Sequence, residues 1–522
     1  MLSIPIIFRE FREGSRRKRT FVLRGVFGGM LLLVTLLFLL MMRLGGESAA
    51  GYYLLKTLAW MIFTTLFVLA PALTCSSITD ERKAGTLDLL FLTHLNSADV
   101  VLGKFASSAM SVLLLFLSSL PFLFLPVLMG GVGWDQTRAV IWSVASLILL
   151  TLSFGMFCSA MVRTTARAVL VAYFGLIAYN ALLVGLPFFN TILRAFGKAD
   201  YAVALFDSLR TISPMAGLLT GMPRDAWISM AWSGGIAALL LACSIWRLPR
   251  LLHAAQAEGG RRTRRTRASK PVATRPRSRR GLDRSPLLWL DYGRRHSWLK
   301  QLAVFAVIIS AVAIIGVYLK NDGIFEGGFR YSLHALGWMV AFGAKILILV
   351  HVARAFAVEK EDGSLELLLI TPFTNRQIVH GKIMTVLARY GLLYGAACAV
   401  QYTELARGFG MAMGHQGYAV LNQAATQVSG LAYVILIGLL ISVWSRTVTQ
   451  AIVLTIVVAV MANWVLTLIG SIAIGIMGIF AMASAFRGAG WPMFLLKAVL
   501  ETGIAAAAYA VLVKNLRWFA MR

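Results

Sequence analysis

Acidic residues are scarce in this chain. Asp and Glu number 22 among 522 residues, against 50 Lys and Arg, and charged residues of both signs make up only 14%. A globular domain carries about 25% charged residues. With 59% hydrophobic residues and a mean hydropathy of +0.77, too little polar surface exists to keep the chain in solution. The same arithmetic excludes intrinsic disorder and a coiled coil. Cysteine is rare as well. Cys75, Cys158, Cys243 and Cys398 stand far apart, in or at the ends of apolar runs. No Cys-x-x-Cys and no Cys/His cluster with zinc spacing occurs, so buried inert thiols are expected. The apolar runs contain no His-Glu-x-x-His, no Ser/His arrangement and no paired midplane carboxylates, which leaves an intramembrane enzyme without its chemistry.

What the chain has is long apolar runs. A bilayer-spanning helix needs about 20 mainly apolar residues. Twelve candidates are present: 21–42, 54–77, 100–130, 138–162, 168–189 and 226–247, then 299–319, 332–357, 379–402, 419–444, 448–478 and 492–513. The expected class is an all-α polytopic membrane protein. The runs 100–130 and 448–478 are over-long, which invites a kink, a re-entrant turn or an interfacial extension. Pro121 and Pro126 favour a kink in the first. No cleavable signal peptide is expected, because the first run follows a basic stretch and is too long for a signal core. The segment Ile4 to Arg19 mixes apolar and basic residues. It suits either an interfacial helix or a solvated basic tail.

The net charge of +28 has three readings: nucleic acid, anionic lipid or membrane orientation. In so apolar a chain the last leads. Arg9, Arg12, Arg16, Arg17, Lys18 and Arg19 precede the first run, and Arg163 and Arg167 lie between the fourth and fifth. A central linker, 247–284, carries thirteen Lys and Arg against Glu258 and Asp283. These fall on one side if six spans precede the linker, which places both termini and the linker in the cytoplasm. The linker core, 259–281, is Arg-rich with Gly, Ser, Thr and Pro, and is expected to be disordered. It lacks the aromatic interleaving of a nucleic-acid binder. Residues 1–247 and 286–522 then form two six-helix units joined by the basic segment 248–285.

A duplication supports that division. Residues 81–104, ERKAGTLDLLFLTHLNSADVVLGK, align without a gap to 359–382, EKEDGSLELLLITPFTNRQIVHGK. Nine of 24 positions are identical, including Glu81/Glu359, Gly85/Gly363, Leu87/Leu365, Thr93/Thr371, Gly103/Gly381 and Lys104/Lys382. A second match, at an offset of 283, pairs Arg163-Thr164 with Arg446-Thr447, Gly155 with Gly438, Ser159 with Ser442 and Ala168 with Ala451. Each copy of the first motif follows a half's second span and is too short and charged to cross. Gly85 and Gly363 suit a turn there. Leu87, Leu90 and Phe91 share one helical face, as do Leu365, Leu368 and Leu369, so a short amphipathic helix at the membrane surface fits. Asn96-x-x-Asp99 and Thr374-x-x-Gln377 then read as capping boxes that start the third spans. Lys104 and Lys382, about two turns later, are placed to snorkel to the interface.

These residues resemble the ABC-2-type permeases, the membrane subunits of ATP-binding-cassette exporters. That family's pattern is Glu-Arg, two residues, Gly-Thr-Leu, a leucine-rich stretch, Thr-Pro, then Gly-Lys. Here it stands as Glu81-Arg82-x-x-Gly85-Thr86-Leu87 through Thr93 to Gly103-Lys104, with His94 in place of the proline. The second copy is Glu359-Lys360-x-x-Gly363-Ser364-Leu365 through Thr371-Pro372 to Gly381-Lys382, departing at Lys360 and Ser364. The resemblance covers both halves. It implies that each segment is a coupling helix seated in an ATP-binding subunit, and that one chain holds a fused pseudo-dimer. It implies a transporter subunit rather than an enzyme, two copies of a separate ATPase carrying ATP and magnesium, an exported substrate, lipid contacts and a multi-pass place in a membrane. The excess of arginine over lysine points to a GC-rich bacterial source, for which the membrane expected is the inner one. The chain has no P-loop of its own: Gly103-Lys104 is followed by Phe105 and Gly381-Lys382 by Ile383.

Charged residues inside spans are functional candidates. Lys345 lies about 20 Å from the cytoplasmic end of its span at 1.5 Å per residue, where the first half has Phe67. Lys345 and Glu404, at the outer end of the ninth span, are the candidates for a substrate path. Lys497 and Glu501 form an i,i+4 pair that neutralises itself. Two other readings stay open. An ion-coupled secondary transporter also has two six-helix halves but needs midplane carboxylates, and a membrane scaffold needs neither.

Overall fold

The structure is a computed structural model. It describes residues 18–45, 50–84, 96–162, 164–195, 211–265, 328–391, 393–395, 415–479 and 491–520, with the single residues 209 and 398. The described residues are helical throughout apart from short turns, and no strand occurs among them. The first half contains α1 (Lys18–Gly45), α2 (Ala50–Ala84), α3 (Ser97–Leu128), α4 (Trp134–Met161), α5 (Thr165–Ala195), the short α6 (Ala216–Thr220) and α7 (Pro223–Arg265). The second half contains α8 (Gly328–Arg354), α9 (Ala357–Glu361), α10 (Ser364–Ile370) and α11 (Asn375–Val386). It continues with α12 (His415–Trp444), α13 (Val448–Ile479) and α14 (Trp491–Ala520).

Eight helices among the described residues are long and apolar enough to cross a membrane. They lie in α2, α3, α4, α7, α8 with α9, α12, α13 and α14. This is a polytopic all-α membrane architecture. α1 and α5 occupy the places expected for the first and fifth spans. The expected seventh span, 299–319, lies outside the described residues, as does the N-terminal segment before Lys18. Exposed tryptophans stand near both ends of the bundle, Trp134 and Trp227 at one and Trp246, Trp444 and Trp518 at the other, while Trp232 is exposed about 7.5 Å further along α7 from Trp227. Trp227 and Trp246 share α7, 19 residues apart, or about 28 Å along a helix. That matches a hydrocarbon core of about 30 Å with aromatic belts at both interfaces.

Two expectations change. The over-long runs hold no re-entrant turn: α3 passes through Pro121 and Pro126 as one helix, and α13 is continuous from Val448 to Ile479. Each proline forgoes its own bond to the carbonyl four residues back, and the helix continues through that loss. The irregular backbone falls elsewhere, as a π turn at Leu387–Gly391 after α11. The linker also begins later than composition suggests. α7 continues to Arg265, so the first part of the basic segment, including 259–265 of its Arg-rich core, is helical. Residues 266–327 lie outside the described set.

The two halves pack alike. Within each, the fourth span lies against the second and the sixth: α4 against α2 and α7, and α12 against α8 and α14. Glycines permit the closest approach. A Cβ on Gly155 would stand 1.9 Å from Thr74 Oγ1, and one on Gly438 would stand 2.7 Å from Val352 Cγ1. Thr74 and Val352 are themselves matched at the offset of 278. The repeated glycines are thus the same helix crossing built twice.

Across the halves, each fifth span packs on the other half's second span: α5 on α8, and α13 on α2. α8 therefore has two apolar faces. Ile346, Leu349, Val350 and Ala353 join a core shared with α2, α5 and α13. Ala344, Ile348, Val352 and Phe356 join a core confined to the second half. Trp464 Nε1 donates to Thr64 Oγ1 across the seam at 3.1 Å. Interhelical hydrogen bonds in membranes average only about 0.6 kcal/mol, so apolar packing holds the seam and polar bonds set its register.

Gly155→Ala is expected to lower stability in detergent by about 1–3 kcal/mol, the usual cost of overpacking. Gly234→Ala is the control, since a Cβ there meets nothing within 4 Å. Alanine favours an open helical site by about 1 kcal/mol over glycine, so thermal unfolding of that variant should not fall.

Candidate functional site

The site is the pair of elbows that join each half's second span to its third. In the second half the whole elbow is described. α8 ends at Arg354, and after a two-residue turn α9 runs from Ala357 to Glu361. Broken here, the chain has backbone N–H groups that need acceptors. The Ser442 hydroxyl of α12 accepts from Phe356 N at 2.9 Å and Ala357 N at 3.0 Å. Its counterpart Ser159 accepts from Ile78 N at 3.1 Å and Thr79 N at 3.3 Å, although α2 runs on unbroken to Ala84. Ile78 and Thr79 map onto Phe356 and Ala357 at the offset of 278. The repeated serine therefore serves one purpose in both halves, pinning the elbow to the fourth span.

Gly363 turns the chain with φ +71°, the left-handed region that glycine enters without a Cβ clash. α10 follows. Leu365 is buried and Leu368 and Leu369 pack on the second-half core, which is the face the leucine spacing predicts. The opposite face is open: Leu367 is 70% and Ile370 81% exposed, beside the exposed Glu366. Thr371 ends the helix in extended backbone, and Thr374 opens α11 with a capping box. Thr374 N donates to Gln377 Oε1 at 2.9 Å, and Gln377 N donates to Thr374 Oγ1 at 3.4 Å. In the first half the matching box starts α3, where Asn96 N donates to Asp99 Oδ2 at 3.3 Å. The first-half turn and short helix, with Gly85, Thr86, Leu87 and Thr93, lie outside the described residues.

The motif's two ends meet. Lys104 Nζ lies 2.5 Å from Glu81 Oε1, and Lys382 Nζ lies 2.5 Å from Glu359 Oε1. The lysines do not snorkel outward as expected. Each folds back across the elbow, and Lys382 is buried to 6% exposure with its ammonium 5.9 Å above the Phe356 ring. A charge taken out of water is costly when left unpaired, and here each lysine has a carboxylate beside it. This ion pair explains why Glu and Gly-Lys recur together, 23 residues apart, in both copies. The adjacent cations point elsewhere. Arg82 donates to the Val162 carbonyl and Lys360 to the Val443 carbonyl, each at 3.4 Å. The Arg-Thr repeat that follows the fourth spans is a helix start. Thr164 O accepts Ala168 N, and Thr447 O accepts Ala451 N, both at 3.0 Å.

Lys345 sits on the inner side of α8, its ammonium 5.8 Å over the ring of Tyr394. That places it within the second half's bundle rather than on the seam between halves. Lys497 and Glu501 do pair, at 3.9 Å, but each has nearer partners. Lys497 donates to Asn463 Oδ1 at 2.8 Å and Thr467 Oγ1 at 3.2 Å, while Glu501 accepts from Ser429 at 2.5 Å. Glu404 lies outside the described residues. Cys75, Cys158 and Cys398 are buried, Cys243 is half-buried, and all four are free. No metal-binding group occurs among the described residues.

Residues 6–250 match one model of the ABC-2 family transporter proteins, and residues 294–463 match a second. The chain belongs to the ABC-2 transporter family. The two matches fall one in each half, so the elbow motif occurs twice because the family's membrane unit does. The ABC-2 chain is a multi-pass membrane subunit of a transporter and is not itself an enzyme. No curated protein matches it.

Removing one partner of the elbow ion pair forfeits a charge-assisted bond, about 1.5–3 kcal/mol. Glu359→Gln is expected to cost more than Glu81→Gln, because the Lys382 side chain is 8% exposed and that of Lys104 16%. The swap Glu359→Lys with Lys382→Glu should recover part of the loss in thermal unfolding of the purified chain.

Ser442→Ala should destabilise more than Ser159→Ala. It orphans two backbone donors at a helix break, whereas α2 keeps its own helical acceptors. Each orphaned donor costs about 1–3 kcal/mol.

Proposed function

We propose that the chain is the permease of an ATP-driven exporter, with the two elbows as coupling helices for two copies of a separate ATP-binding-cassette ATPase. The observation that carries this reading is α10: a short helix anchored by one face and a break, leaving Leu367 and Ile370 exposed beside acidic Glu366. An exposed apolar pair at the rim of a membrane bundle is a docking face. Its anchor makes it a lever. The Glu359–Lys382 pair and the Ser442 bonds fasten the elbow to the third and fourth spans, so a push on α10 moves both. Gly363 fixes the angle of that lever. By the motif, Gly85, Thr86, Leu87 and Thr93 are proposed for the same coupling role in the first half, with Glu81 and Arg82. Ser364, Leu365, Lys360 and Thr371 have matching places in the second.

ATP and magnesium belong to the partner, since the sequence has no phosphate-cradling loop. The elbows, both termini and the basic linker then face the cytoplasm of a bacterial inner membrane, with the seam between halves as the substrate path. Between α2 and α13 the seam is closely packed, leaving a gap of only about 10 Å³ lined by Thr65, Val68, Leu69, Ile456, Val457 and Val460. Lys345 and Glu404 remain proposed contributors. Lys345 would act from the second half alone, on a substrate that reaches its bundle. Lys345→Met would then lower transport while leaving ATPase binding intact.

The test is co-purification from native membranes. A P-loop ATPase should accompany the chain at two copies. In the variant Leu367→Glu/Ile370→Glu its retention should fall at least about tenfold, since each buried apolar side chain contributes about 1.5–3 kcal/mol. The fold should persist, because both side chains point away from the core. Absence of any ATPase under several mild conditions would sink the reading and favour ion-driven transport.

A further inference from the structure

Asp80 immediately precedes the first elbow motif and has no acidic counterpart, because the matching position is Val358. Its carboxylate joins three helices. Asp80 Oδ1 accepts from Thr165 Oγ1 of α5 at 3.0 Å and from Thr449 Oγ1 of α13 at 2.9 Å. α5 belongs to the first half and α13 to the second, so one oxygen atom bridges the halves. Thr165 also accepts from Thr79 Oγ1 at 3.0 Å, which fastens the bridge to the helix that carries the elbow. Both threonines lie in the first turn of their helices, where the partial positive charge of the helix end favours a carboxylate. The second elbow is wired differently. Glu361 Oε2 accepts Val448 N at 3.4 Å, a contact within its own half.

We infer that Asp80 is a positioning residue that latches the two halves together at the elbow end of the bundle, and that driving the first elbow releases this latch. The inference rests on the proposed ATP-driven coupling for its second clause only. α2 and α13 run antiparallel across the seam and bond at two levels, Thr64–Trp464 toward one end and Asp80–Thr449 at the other. Both bonds are made by α2, but only the second level abuts an elbow: Asp80 immediately precedes Glu81, whereas Thr64 lies more than four turns back along the same helix. Movement of that elbow therefore acts on the inter-half bond before it acts on the rest of the seam. The single latch also makes the halves unequal. The first elbow gates the contact between halves, while the second moves its own fifth span.

Spin labels at Arg167→Cys and Arg446→Cys report the separation of the two fifth-span starts, with the four native cysteines replaced. Both side chains are exposed and neither is part of the latch. In the full chain in lipid, a narrow distance distribution is expected. Asp80→Ala and Thr449→Val should each broaden it and move it to longer distance, and the double variant should add nothing further. Glu361→Ala should leave it unchanged. In the complex with its ATPase, trapping with ATP and vanadate should produce the same lengthening with Asp80 in place, and no additional lengthening in Asp80→Ala. A distribution indifferent to Asp80→Ala overturns the latch. One that shifts with Asp80→Ala but not on trapping overturns its release. If no ATPase partner is found, the proposed function fails and the release with it. The Asp80→Ala distances then decide the latch alone.

Discussion

A helix that stops at the edge of a bilayer must satisfy its polar groups without relying on water, and the architecture of both elbows follows from that constraint. An unsatisfied backbone group in the hydrocarbon region costs several kcal/mol. In the second half, where the helix breaks, the Ser442 hydroxyl meets the demand by accepting two backbone N–H groups, and Ser159 accepts the matching pair in the first half from a helix that runs on unbroken. The same elbow then has to carry charge back toward the membrane, and a glutamate and a lysine from its two ends neutralise each other. Once these bonds are made in the second half, the remaining apolar side chains of α10, Leu367 and Ile370, face outward.

The duplication gives this device twice, but the halves are not copies. Symmetry is kept where backbone is pinned or helices cross: Ser159 and Ser442, Gly155 and Gly438, Thr164 and Thr447. Among contacts between side chains the Glu–Lys pair is kept, but others have diverged. Ser146 sits among the Ser229 and Ser233 hydroxyls, while its counterpart Ser429 meets the carboxylate of Glu501. Phe67 stands where Lys345 does, and Asp80 where Val358 does. Backbone geometry tolerates few solutions, so those positions persist. Side-chain contacts are free to diverge once two units share one chain and no longer have to be self-complementary. An asymmetric path and an asymmetric latch are available to a fused pair and not to a symmetric dimer.

Much of the fold was readable beforehand. Apolar run lengths gave the membrane class, and both capping boxes and the buried face of α10 followed from local spacing. Two misreadings have physical causes. The basic composition of 259–265 predicts disorder, yet an apolar helix of several turns already nucleated propagates into such residues at little cost, and α7 reaches Arg265. Lys104 and Lys382 were read as snorkelling because the sequence shows a lysine near an interface but not the carboxylate that waits 23 residues earlier. Asp80 was missed altogether. Its only signal was an acid abutting a repeated motif in one copy and absent from the other.

By itself, the sequence determined that the chain lives in a membrane, that it is built from two related units, where each unit's elbow lies and to which family the units belong. These are properties of composition, of period and of short-range order, and they need no partner in space. Tertiary structure decided what the repeated residues do. It brought Glu81 to Lys104 and Glu359 to Lys382, placed Lys345 inside one bundle rather than on the seam, and set Asp80 between the halves. The reason is that a carboxylate's role depends on what lies within about 3 Å of it. Thr449, which completes the bridge, is 369 residues away along the chain.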